Sequence, residues 1–145
     1  MNRIKVTPNQ ISQVTEFAIE SHKHHYSNGR CADTIISNII QGKLGEIAMY
    51  ELDPDNFTNI PNFERTNTPD EGWDLVDLKG NKIDVKTIKK GTKTITFNST
   101  VKADLYAIIE FDEFGWYYLK DIKTQQYLRN NMRKSKFNSS YYIFI

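Results

Sequence analysis

The stretch from Gly72 to Thr87, Gly-Trp-Asp-Leu-Val-Asp-Leu-Lys-Gly-Asn-Lys-Ile-Asp-Val-Lys-Thr, constrains this chain more than any other. Its pattern predicts two short strands joined by a tight turn within Asp77-Leu78-Lys79-Gly80-Asn81. Side chains alternate faces along a strand, so Asp84 and Lys86 share one face. Ile83 and Val85 share the other, where they can join a core. With Lys79-Gly80-Asn81 as a three-residue loop, Asp74 stands opposite Lys86 and diagonal to Asp84, all three on one face. A two-residue loop at Gly80-Asn81 instead sends Asp74 to the wrong side. Gly80 suits the positive φ that a three-residue loop wants. Two acids and a lysine converging on a sheet surface make a divalent-metal site with a cation beside it.

Two helices precede the hairpin. The first is predicted over 8–25, with Pro8 at its start and Ile11, Val14, Phe17, Ala18 and Ser21 at intervals of three and four. It ends in His22, His24 and His25. Three imidazoles so close invite a metal reading, but no cysteine or carboxylate stands nearby at ligand spacing. A polar helix end, where imidazolium complements the dipole, with a weak phosphate contact, fits better. Asp33 is expected to cap the second helix, which runs to about Leu52 with a stripe of Ile36, Ile40, Leu44, Ile47 and Ala48. Glu46 falls at the edge of that stripe, not out in solvent. Gly42 and Gly45 cost up to ~1 kcal/mol each relative to Ala, which is tolerated where backbone must approach something closely. Taken alone, Glu46 reads as a boundary residue paired with Lys43.

Residues 53–70 are polar and turn-rich, with a short strand expected around 57–63. Thr94–Phe97 is a brief strand, and 98–103 holds no more than a helical turn. Asp104–Phe111 is a near-continuous apolar run, as in a strand buried on both faces. Trp116–Ile122 pairs with it across Asp112-Glu113-Phe114-Gly115. Gln125–Met132 is ambiguous between helix and coil, and Ser139–Ile145 closes the chain as a strand. The class is α/β, a mixed central sheet flanked by helices. With no repeats or linker, 145 residues make one domain over 1–145.

Charge is unevenly spread. Glu51 to Asp74 holds seven acids against Arg65 alone, while Lys120 to Ile145 holds six bases against Asp121 alone. A cation-binding pocket beside a basic stretch suits a metal-dependent enzyme acting on nucleic acid, although the basic tail reads equally well as a solvated face. The lone Cys31 excludes an internal disulfide and any zinc site built from cysteine pairs. No apolar run approaches a membrane span, and the start lacks the apolar segment of a signal peptide, so a cytoplasmic protein without membrane association is expected.

Taken in order, Gly42-Lys43-Leu44-Gly45-Glu46, Gly72-Trp73-Asp74-Leu75 and Ile83-Asp84-Val85-Lys86-Thr87 resemble the PD-(D/E)XK nuclease superfamily, the restriction-endonuclease-like fold, over about residues 34–110. The literal Pro-Asp pair is Pro69-Asp70, but Asp74 has the strand pattern and face parity and is assigned as the first acid. The family's second core helix, after the Asp-x-Lys strand, is short or missing here. The resemblance implies a Mg²⁺- or Mn²⁺-dependent phosphodiester hydrolase, foremost a DNA endonuclease. Asp74, Asp84 and the Val85 carbonyl would hold the ion, with Glu46 as an outer or second-metal ligand. Lys86 would orient the attacking water or stabilise the phosphoryl charge. Thr87, Asn98 and Lys102 could reach backbone phosphates, with Lys43, Arg129, Arg133 and Lys134 as further cations. One site per subunit implies a homodimer for cutting both strands. Two alternatives stay open: a catalytically silent nucleic-acid-binding module or subunit of the same fold, and an unrelated α/β domain whose hairpin acids are surface charges.

Overall fold

Helix signals at Thr7-Pro8-Asn9-Gln10 start the structure. In the computed structural model, which describes residues 2–24, 32–61, 73–97, 101–138 and 140–145, a short strand β1 (Arg3–Lys5) leads into helix α1 (Pro8–His24). Pro8 opens α1 as expected, since its missing N–H is one the first turn leaves unbonded anyway. The Thr7 N–H donates to Gln10 Oε1 (2.8 Å) and the Gln10 N–H to Thr7 Oγ1 (3.1 Å), a reciprocal capping box. Helix α2 (Ala32–Leu52) begins one residue ahead of Asp33, which therefore lies in its first turn instead of capping it. An acid there still complements the helix dipole.

Seven more strands, eight with β1, and a third helix complete the described order: β2 (Leu75–Val76), β3 (Lys82–Lys89), β4 (Thr94–Phe97), β5 (Leu105–Phe111), β6 (Trp116–Thr124), α3 (Gln125–Asn131), β7 (Arg133–Lys134) and β8 (Tyr141–Phe144). Five form one sheet, ordered β1-β6-β5-β3-β2, with β3 and β5 parallel and the other pairs antiparallel. The other three form a separate antiparallel sheet, β4-β8-β7. This is the mixed α/β class expected, a mixed sheet flanked by helices.

Alternation along β3 divides the core in two. Ile83 and Val85, with Leu75, Ala107 and Ile109, pack against Leu44, Ile47 and Ala48 of α2. On the opposite face Ile88, Tyr106 and Ile108 pack with Ile95, Phe97 and Ile143 of the small sheet and Leu128 of α3. Strand β5 is thus covered on both sides, as its apolar run requires. Parallel neighbours usually need a helical crossover, yet the described residues between β3 and β5 form β4 and no helix. The strand expected at 57–63 reduces to a single bridge from Phe57 to Asp77, with residues 62–72 outside the described ones. Among the described residues no helix is long and apolar enough to cross a membrane.

The two helix glycines differ. A Cβ on Gly45 would stand 1.7 Å from Thr87 Oγ1 and 2.8 Å from Thr87 Cβ, while one on Gly42 would meet nothing within 4 Å. Close approach therefore explains Gly45 alone: it lets α2 press onto β3 and carries the neighbouring Glu46 to that strand. Gly45→Ala should lower stability by about 1–3 kcal/mol, the range of an overpacked core. Gly42→Ala should raise it by up to ~1 kcal/mol. Urea unfolding of both variants checks the pair, and equal shifts in the same direction would remove the contact as the reason for Gly45.

Candidate active site

The hairpin closes one residue earlier than its sequence suggests. Leu75 pairs with Ile83 and Val76 with Lys82, and the Asp77 N–H donates to the Asn81 carbonyl at 3.0 Å. The loop is therefore Leu78-Lys79-Gly80, with Gly80 at φ 83°. Asp77 dictates this choice. Its Oδ1 accepts the N–H groups of Lys79 (2.9 Å) and Asn81 (2.8 Å), and its Oδ2 accepts Asn81 Nδ2 (3.0 Å). Burial works against its charge, but the bonds from Asn81 and Lys79 prevail and hold the Asp77 carboxyl below its ordinary range.

That shift corrects the expected partner of Asp74. Its N–H donates to the Ile83 carbonyl (2.8 Å) while Leu75 also pairs with Ile83, setting two residues against one as in a β-bulge. Asp74 therefore does not stand opposite Lys86. Its Oδ2 instead accepts the Val85 N–H at 2.8 Å, where β2 has already ended. From this position the Asp74 carboxyl contacts both Glu46, arriving on α2, and Asp84, on β3. Lys86 belongs with Asp84, its Nζ 3.0 Å from Asp84 Oδ2.

Three carboxyls from three elements so meet at the hairpin's open end. Glu46 is buried, as its helical angle implied, and holds Lys43 at 2.9 Å, the boundary pairing expected of it. Burial, then the charge of Glu46, pushes the Asp74 carboxyl up to about 7 despite the Val85 hydrogen bond. Burial also pushes Asp84 up to about 7; Lys86 opposes the rise and Asp74 adds to it. Both acids hold protons far more readily than a solvated carboxylate would.

Lys86 Nζ also lies 5.5 Å from the Phe97 ring centre, and Phe97 meets Tyr106 edge-on at 5.4 Å. Tyr106 is the parallel neighbour of Asp84, with its hydroxyl accepting the Ala103 N–H at 3.2 Å. Sequence reasoning took Tyr106 only as part of an apolar run, because nothing local reveals the β3–β5 register. Thr87 faces α2, and its Oγ1 is buried beneath Gly45 without a hydrogen-bond partner, turned away from solvent and from any phosphate there. Lys102, Arg129, Arg133 and Lys134 are exposed. Asn98, Pro69-Asp70 and His25 lie outside the described residues.

Among the described residues no group of three or more His, Cys, Asp or Glu is arranged to hold a metal ion. Mg²⁺ does not require such a group: one or two carboxylates, water and substrate phosphate commonly complete its octahedron. The Asp74 and Asp84 carboxyls, adjoining hard oxygen donors whose mutual repulsion Lys86 offsets only in part, fit that simpler arrangement. No known family model matches this chain, and no curated protein is significantly similar to it.

Proposed function

We propose that this protein is a divalent-metal-dependent nuclease that hydrolyses phosphodiester bonds, with DNA as its substrate. The supporting observation is the meeting of Glu46, Asp74 and Asp84, brought from α2, the β2 entry and β3, with Lys86 beside them. Acids gathered for stability alone would each have a base or several N–H donors; Asp74 has one N–H and two acidic neighbours.

Asp74 and Asp84, with the Val85 carbonyl and Glu46, are the residues that would hold Mg²⁺ or Mn²⁺. A bound divalent ion lowers the pKa of its water and offsets the phosphate charge. Asp84 anchors the Lys86 ammonium, which can donate to the attacking water or to a phosphoryl oxygen as negative charge builds there. Lys43, 2.9 Å from Glu46 Oε2, holds that carboxylate in place at the rim. Cutting both strands would take two such sites, hence a two-fold dimer.

A gel assay tests this reading on supercoiled plasmid, linear duplex, single-stranded DNA and RNA, with Mg²⁺, Mn²⁺ or EDTA. Metal-dependent cutting is expected for the wild type, lost in EDTA and in Asp84→Ala, whose DNA binding is retained. Intact substrates under every metal, with DNA still shifted in mobility, would replace catalysis by a binding module.

A further inference from the structure

The most exposed apolar side chain among the described residues is Phe137, 95% exposed at the tip of the β7–β8 hairpin. A lone exposed hydrophobe is ordinary. This one shares its hairpin with exposed cations: Arg133 and Lys134 on β7 and Lys136 next to it, with Arg129 in the last turn of the preceding α3; Arg133 also lies over the Phe144 ring of β8 at 5.2 Å. None of the four is ion-paired to a carboxylate among the described residues. Described residues beside the ring are hydrogen-bonded. The Ser135 N–H donates to the Ser140 carbonyl (2.9 Å), and the Phe137 N–H to Ser135 Oγ (3.2 Å). A ring whose own backbone N–H is bonded loses less freedom on binding than one on a slack segment.

The hairpin is also connected to the acids. Lys134 pairs with Tyr141, and Tyr141 with Phe97, so one cross-strand row of the small sheet runs from the basic strand to the ring under Lys86. Two strand spacings of about 4.8 Å put Lys134 about 10 Å from Phe97 along that row. At about 3.4 Å per nucleotide, that is roughly three nucleotides of one strand.

Resting on the nuclease reading, we infer that the β7–β8 hairpin is the substrate arm of this site, where Phe137 stacks on an unpaired base and Arg133, Lys134 and Lys136 hold the adjoining phosphates. The substrate class is a nucleic acid with a single-stranded or unstacked segment, in preference to intact duplex. Fixed cations read phosphate in any sequence, and an aromatic face reads any base that has left its stack, so the arm selects structure over sequence.

Fluorescence anisotropy in EDTA tests this with full-length wild type, Phe137→Ala, Phe137→Trp, Lys134→Ala and Lys136→Ala. The probes are single-stranded DNA, single-stranded RNA, a duplex with a bulged base and a perfect duplex of equal length. Phe137→Ala should weaken binding roughly tenfold on the single-stranded and bulged probes and less than about twofold on perfect duplex, with Phe137→Trp restoring the wild-type pattern. Each lysine variant should weaken all probes alike and reduce the salt slope by about 0.7–0.9. The DNA and RNA arms show which strand carries the effect. An unselective Phe137→Ala, or no binding by the wild type, overturns the inference. So does a halved mass in sedimentation for Phe137→Ala with binding unchanged, which would make Phe137 a contact between copies. Because the assay contains no metal, a Phe137-dependent preference without cutting in the gel assay supports the arm and sinks the nuclease reading. Metal-dependent cutting with Phe137 inert does the reverse.

Discussion

Asp74→Asn is expected to cut far more slowly and, in metal-free buffer near pH 8, to melt at a higher temperature than the wild type. The two effects share one cause. Burial and Glu46 raise the folded Asp74 carboxyl to about 7 from an unfolded value of 3.8, so between those values the folded state binds more protons than the unfolded one. Such a group contributes stability that is complete below its unfolded pKa and is lost as pH rises through its folded one. Above that window the wild type carries repelling charges that Asn lacks, while the amide oxygen still accepts the Val85 N–H. The expected gain is about 1–2 kcal/mol, a few degrees in Tm for a domain of this size. It should vanish near pH 4. Under the proposed function, added Mg²⁺ should raise the wild-type Tm more than the variant's, because the ion would be held by the intact pair. Turnover should fall on the order of 10³-fold, as when one charge-stabilising group is removed. Thermal melts over a pH series with and without Mg²⁺, beside the cutting assay, carry the test. A variant that melts below the wild type at every pH would make Asp74 a backbone acceptor for Val85 and nothing more.

The parts of this site differ in how far their sequence displayed them. Face parity of Asp84 and Lys86 is a local property of any strand, so it was legible and holds in the ion pair they form. Glu46 was legible at the edge of a buried stripe because helical angle is also local. The partner of Asp74 was not, since it depends on which turn wins. The decision lies with Asp77, whose carboxyl binds Lys79 and Asn81 and moves the loop one residue toward the N-terminus. An Asp two residues before an N–H it can cap is a recognised turn signal, and weighing it would have chosen Leu78-Lys79-Gly80. Thr7 and Gln10 spelled out a capping box in the same way.

What stayed hidden was long-range. Strand β1 is three residues of mixed polarity, and only its pairing with Tyr117 and neighbours on β6 makes it a strand. Assembly of β4, β8 and β7 into a second sheet brings together segments some forty residues apart, for which periodicity gives no partner. The same holds for Tyr106 beside Asp84, a consequence of the β3–β5 register. Gly45 falls between the two kinds. Its helix penalty signalled a close approach, but only Thr87 across the helix–sheet interface tells it apart from Gly42.

Lys86→Met should slow cutting by about 10²–10³-fold while leaving Mg²⁺ affinity within a few-fold of wild type. The methionine keeps an unbranched stem over Phe97 and removes only the ammonium, which Lys86→Ala would confound with a packing loss. Lys86 bonds Asp84 at 3.0 Å, so two roles compete. If its charge acts on the transition state, kcat falls with KM and metal binding nearly unchanged, because the lost interaction is one made only as charge builds on phosphate. If it chiefly positions Asp84, its loss lets the Asp84 carboxyl rise further, since the lysine charge is what opposes that rise. Mg²⁺ binding then weakens, and the pH at which cutting sets in moves upward. Isothermal titration with Mg²⁺ and a pH–rate profile separate the two. A large rate loss with an unmoved profile assigns Lys86 to the reacting phosphate; a moved profile with weakened Mg²⁺ binding makes it a positioning residue for Asp84; an unchanged rate removes it from the site.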